Sequence, residues 1–80
     1  MSSPATLADL AVGERAVIES VTAPRPLAVR LMELGLVGGT EVVVKRRAPL
    51  GDPLELELRS YALSIRREEA RCVRVKRERP

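Results

Sequence analysis

The side chain best suited to nucleophilic chemistry in this 80-residue chain is Cys72, the one cysteine of a sequence that holds no histidine. Arg71 and Arg74 flank that thiol and could lower its pKa. No imidazole exists, however, to activate it or any serine or threonine as a nucleophile. A single thiolate also falls short of a zinc site and forbids an intrachain disulfide. Cys72 therefore reads as a small packed residue in a late strand. The carboxylate pairs fare no better. Glu55 and Glu57 alternate with leucines and so face outward, while Glu68 and Glu69 fit an exposed turn. Neither pair has an apolar pocket to raise a pKa, so acid–base work of the glycosidase kind is not expected. Iron sites need histidine, carboxylate and thiolate ligands in defined geometry, and one cysteine with scattered glutamates does not supply the set. Gly35, Gly38 and Gly39 come after a helical pattern and not before one, which makes them turn residues and not a phosphate loop. No catalytic residue, metal or cofactor is expected.

Charge offers a second class of function. Residues 1–40 hold three basic and four acidic side chains, residues 41–80 eleven and seven. The cations crowd into Lys45-Arg46-Arg47, Arg66-Arg67 and Arg71 to Arg79. Two readings compete: a nucleic-acid footprint, or solvated strand faces. Glu55, Glu57, Glu68, Glu69 and Glu78 interrupt any continuous positive stripe, which favours the solvated surface. Small barrels that bind nucleic acid also use stacking aromatics, and Tyr61 is the sole ring; one stacked base is worth about 1–3 kcal/mol. Packing over one end of the fold is the expected role of Tyr61, and a nucleic-acid-binding barrel stays as the alternative.

Eighty residues bound a single small domain that buries about 60–65% of its unfolded surface. Without disulfide or metal, its support must come from packed Leu and Val. No apolar run reaches the roughly 20 residues of a membrane span, and Met1 to Ala11 lacks a signal-peptide pattern, so a reduced cytoplasmic setting is expected. Residues 1–5 read as a mobile lead, 6–76 as the domain and 77–80 as a charged tail. Thr6 caps one helical turn through Leu10. Arg15 to Val21 is a first strand, favoured by Val17, Ile18 and Val21. Pro26 opens a helix in which Leu27, Leu31 and Leu34 share one face, and Gly35 ends it. Glu41 to Ala48 is extended, with Val42 and Val44 on one face. Pro49-Leu50-Gly51-Asp52-Pro53 is a turn in which the aspartate can bond its own backbone. Leu54, Leu56 and Leu58 then alternate with charged residues, the period of a half-buried antiparallel strand. A short strand carries Leu63 and Ile65, Arg66 to Ala70 makes one helical turn, and Val73 with Val75 marks a last strand. The sum is a mainly β fold: a small barrel of about five strands, with one short α-helix between the first and second.

Three blocks of residues go further. Arg30-Leu31-Met32-Glu33-Leu34-Gly35-Leu36 with Gly39, Arg46-Arg47-Ala48-Pro49-Leu50-Gly51-Asp52-Pro53, and Leu63-Ser64-Ile65-Arg66-Arg67-Glu68-Glu69-Ala70 resemble, in order and spacing, the signature of the FeoA family. With Leu7-Ala8-Asp9-Leu10 and Gly13, the resemblance spans about residues 6 to 76. It implies an SH3-like barrel in the cytoplasm acting beside FeoB, a membrane transporter with its own GTP-binding domain. Gly38 and Ser60 depart from the pattern, where proline and glycine are common. A related barrel closes iron-dependent repressors of the diphtheria-toxin type; with no DNA-binding helices ahead of it, a free-standing accessory protein is preferred.

A chain of this kind would act through its surface. Leu50, at the tip of a polar turn, is hard to bury within its own hairpin. Grouped exposed apolar residues mark binding sites, so Leu36, Ala48, Pro49 and Leu50 form the expected partner-binding group, rimmed by Arg30 and Arg47. The alternative is that Leu50 folds back onto the Leu27/Leu31 helix and completes the core. Arg30 has two alternatives of its own: bonding turn carbonyls, or acting on the partner GTPase as an arginine finger.

Overall fold

The computed structural model describes residues 5–78. Six antiparallel strands form one sheet: β1 (Ala5–Thr6), β2 (Arg15–Val21), β3 (Glu41–Arg47), β4 (Leu54–Leu58), β5 (Tyr61–Ile65) and β6 (Val73–Arg77), in the spatial order β1-β6-β2-β3-β4-β5. The strand count is thus six where five were expected. The added strand is β1, two residues paired with Val75 and Arg74, too short to carry a period. Residues 1–4 and 79–80, parts of the expected lead and tail, lie outside the described residues; Ala5 and Arg77 belong to strands.

Alternation decides what lies inside. Ala16 and Ile18 of β2, Val42 and Val44 of β3, Leu54, Leu56 and Leu58 of β4, and Val73 and Val75 of β6 are buried together, joined by Leu7, Leu10, Leu31 and Leu36. Each fully buried Leu or Val is worth about 1.5–3 kcal/mol of transfer free energy. Register shifts insert one extra residue into β2 between Ile18 and Ser20, and one into β3 between Val44 and Arg46. Such bulges bend a strand and increase its twist, which lets a short sheet curl around one core. On the outer face, Arg46 pairs with Glu55 at 3.3 Å and Lys45 with Glu57 at 3.7 Å across β3 and β4. These exposed pairs contribute about 0–1 kcal/mol each.

Helix α1 (Arg25–Glu33) follows β2 and packs Leu27 and Leu31 against the core. Its end is a Schellman motif: the Leu36 N–H donates to the Leu31 carbonyl at 3.1 Å, and the Gly35 N–H to Met32 at 3.0 Å. Gly35 takes φ +104°, the left-handed position that this motif reserves for glycine. The motif also corrects the apolar face. Leu34 is partly exposed, whereas Leu36 turns back beside Leu31 and is fully buried. Tyr61 donates its hydroxyl to the Leu34 carbonyl at 2.6 Å, clamping the start of β5 to the helix end.

The Thr6 turn forms over Leu7–Asp9, with Asp9 accepting from the Thr6 N–H at 2.9 Å. The later turn is α2 (Arg67–Ala70), in which Glu69 accepts from the Arg66 N–H at 2.9 Å.

Candidate partner-binding surface

The hairpin between β3 and β4 is held from both sides, so its tip has a defined place. Within the turn, the Gly51 N–H donates to the Ala48 carbonyl at 2.7 Å and the Ala48 N–H to Pro53 at 3.1 Å. Asp52 does not bond its own backbone. Its Oδ1 accepts from the Arg67 N–H at 2.9 Å, tying the turn to the first residue of α2. Leu50 stands 89% exposed beyond these ties, beside exposed Pro49 and half-buried Ala48. The fold-back alternative for Leu50 is therefore not what the chain adopts.

Two of the expected surface residues need correction. Leu36 is 0% exposed and belongs to the core, because the Schellman turn folds it onto Leu31. Arg47 is half-buried, and its Nη2 donates to the Ala8 carbonyl at 2.8 Å and to Leu10 at 2.6 Å. It is a brace between β3 and the N-terminal turn, not a rim cation. Hydrogen bonds to a charged donor contribute about 1.5–3 kcal/mol. We expect Arg47→Ala to lower unfolding free energy by about 2 kcal/mol in urea titration, while Arg46→Ala stays within about 0.5 kcal/mol. Equal losses for the two would refute the brace.

Arg30, exposed on α1, does not bond turn carbonyls either; its guanidinium pairs with Glu69 of α2. That pair spans a groove of about 450 Å³, bounded by Asp52 and Pro53 on the hairpin side and by Ser64, Ile65 and Arg66 on the β5 side. The surface thus joins the hairpin turn, α1 and α2 around one concavity. Sequence reasoning missed Glu69 and Asp52 as its fasteners. It also missed Val29 and Met32, three residues apart on α1 and 41% and 46% exposed, with Val37 exposed just past the helix. A signal for them existed: apart from Arg25, Arg30 and Glu33, α1 is apolar or proline around its whole circumference, more than a helix covering one core needs.

Elsewhere, Glu78 at the end of β6 has its carboxyl held above the ordinary range. A hydrogen bond shared with Glu41 is the chief cause, with desolvation and the Glu41 charge adding to it and Arg15 opposing. Among the described residues, no group of three His, Cys, Asp or Glu side chains could hold a metal ion, and no helix is long and apolar enough to cross a membrane.

The FeoA domain model matches residues 5–77. The chain belongs to the FeoA family. The Fe(2+) transport protein A/Fe(2+) transporter FeoB fusion protein of Porphyromonas gingivalis is 36% identical over 69 residues, which are 86% of this chain and 8% of that protein. Among solved structures, the FeoA protein from Chlorobium tepidum is 44% identical, with a TM-score of 0.82 over 89% of this chain and 68% of that one. The FeoA of Stenotrophomonas maltophilia, solved with zinc and described as a prokaryotic SH3 domain protein, is 37% identical, with a TM-score of 0.79 over 90% and 89% of the two chains. The SH3-like fold and the association of this family with ferrous iron transport follow from these matches.

Proposed function

We propose that this FeoA-family chain is a non-catalytic, cytoplasmic accessory protein of bacterial ferrous iron uptake, which binds a FeoB-type membrane transporter and supports or regulates it. The observation that carries this reading is the Porphyromonas gingivalis relative, in which an FeoA region and FeoB are one polypeptide. Joining two modules in one chain holds them at an effective concentration in the millimolar range, which suits parts that work in contact. The contact surface in this chain is the tip formed by Ala48, Pro49 and Leu50, with Arg30 beside it on α1. An apolar anchor with a polar margin is the usual composition of a protein interface.

The test is retention of the tagged chain on the detergent-solubilised FeoB-type transporter from the same genome, followed by GTP turnover with and without the chain. We expect stoichiometric retention. A folded chain that washes through freely would defeat the proposal; a change in turnover would add regulation to binding.

A further inference from the structure

Strand β5 ends the sheet. It pairs with β4 on one side, Leu58 with Tyr61 through Leu54 with Ile65, and no strand lies on its other side in the described sheet. The connection is two residues, Arg59-Ser60, which makes Leu58 and Tyr61 a hydrogen-bonded pair. By alternation, Tyr61, Leu63 and Ile65 turn their main-chain groups toward β4, and Ala62 and Ser64 turn theirs outward. Both residues are exposed. Natural edges are protected by lysine, proline, bulges or covering loops; β5, with the sequence Tyr-Ala-Leu-Ser-Ile and an unshifted register, carries none of the first three.

Charge at this edge selects the occupant. Arg59 and Arg66 bracket the strand, and neither is held by a carboxylate among the described ion pairs. Glu57 and Glu55, across from Ala62 and Ser64, are already engaged by Lys45 and Arg46. The groove lined by Ser64, Ile65 and Arg66 also holds Asp52 and Glu69, but Asp52 accepts from the Arg67 N–H and Glu69 pairs with Arg30, which leaves Arg66 as its unengaged charge. A second copy fits poorly, because antiparallel pairing of two β5 strands, Tyr61 of one against Ile65 of the other, would bring the flanking Arg59 and Arg66 together at both ends, and like charges brought together are destabilising.

We propose that the β5 edge is a strand-addition site for an extended acidic segment of another protein. The segment exchanges main-chain hydrogen bonds with Ala62 and Ser64, and one of its carboxylates meets Arg66 at the mouth of the groove. Strand addition draws affinity from the main chain and selectivity from flanking side chains. The main-chain groups of this site belong to β5 and not to the Leu50 tip, although its Arg66 end borders the groove that the hairpin turn also lines.

The probe is a capped peptide of alternating threonine and valine ending in two aspartates, titrated into the isotope-labelled full chain. The Ala62 and Ser64 amide signals should move, and their exchange with solvent should slow about tenfold at saturation. The same peptide ending in two lysines should bind at least tenfold more weakly. Ser64→Pro removes an outward N–H without touching a β4 bond and should abolish binding. Arg66→Glu keeps that N–H and should reverse the preference between the two peptides, so it serves if the proline variant does not fold. Leu50→Glu should bind the peptide as the parent does, which separates this edge from the tip. Shifts confined to other residues, equal binding of the two peptides, or protection of Ala62 and Ser64 that rises with protein concentration alone would each overturn the proposal.

Discussion

Gly35→Ala should lower the unfolding free energy by about 1.5–3.5 kcal/mol, the largest loss expected from adding a single methyl group to this chain. Two costs combine. The residue sits at φ +104°, where an L side chain meets the following carbonyl at about 1–2 kcal/mol. A Cβ there would also overlap the Tyr61 hydroxyl, the end of a side chain 42% exposed, which must swing aside and give up its bond to the Leu34 carbonyl at about 0.5–1.5 kcal/mol. An 80-residue domain is stable by about 4–12 kcal/mol in all, so the variant should lose a large share of its margin. Tyr61→Phe separates the two causes. Alone it removes the hydrogen bond to Leu34 and costs about 0.5–1.5 kcal/mol. In the Gly35→Ala chain it also removes the atom that the methyl meets, so the double variant should be more stable than the sum of the singles predicts. Urea midpoints at constant m supply the measurement. Strict additivity would mean that the hydroxyl and the helix end do not share that space, and the clamp between β5 and α1 would have to be abandoned.

The same corner of the molecule shows what the sequence makes legible. Leu54, Leu56 and Leu58 declare their face because a strand repeats every two residues and nothing interrupts β4, and all three are buried. The helix declares itself through Leu27 and Leu31. Extending that period to Leu34 assumed that the helix continued, whereas Gly35 reverses the chain and gives the buried place to Leu36. Periodicity describes an element and stops at its cap. Leu36 was for that reason the one apolar member of the expected surface to be lost to the core. Arg47 was unreadable for a different reason: a cation at a strand end looks solvated, and its acceptors, the carbonyls of Ala8 and Leu10, are backbone groups distant in sequence. Arg30 with Glu69, and Asp52 with Arg67, are likewise made by tertiary approach. Residue type can announce a donor or acceptor there, but only the fold chooses its partner.

At the hairpin tip the expected result is a separation of stability from binding. Leu50→Glu should leave the urea midpoint within the range of a surface change, about 0.5 kcal/mol, and should weaken retention on the FeoB-type transporter at least tenfold, about 1.4 kcal/mol. The first half follows from exposure: a side chain 89% open to solvent has almost no packing to lose, and the turn is held by Gly51, Asp52 and Pro53 through main-chain and carboxylate contacts that the substitution does not touch. The second half follows from what such a leucine gains in a complex. Burying it in a partner's apolar pocket would return about 1.5–3 kcal/mol, and a carboxylate in the same pocket would add a desolvation cost. Arg30→Ala gives the contrast. Its guanidinium is exposed and engaged with Glu69, so its loss should loosen the groove and change affinity less than Leu50→Glu does. If Leu50→Glu destabilises the free chain yet binds the transporter like the parent, the exposed leucine is not the anchor, and the contact must be sought on the Val29 and Met32 face of α1.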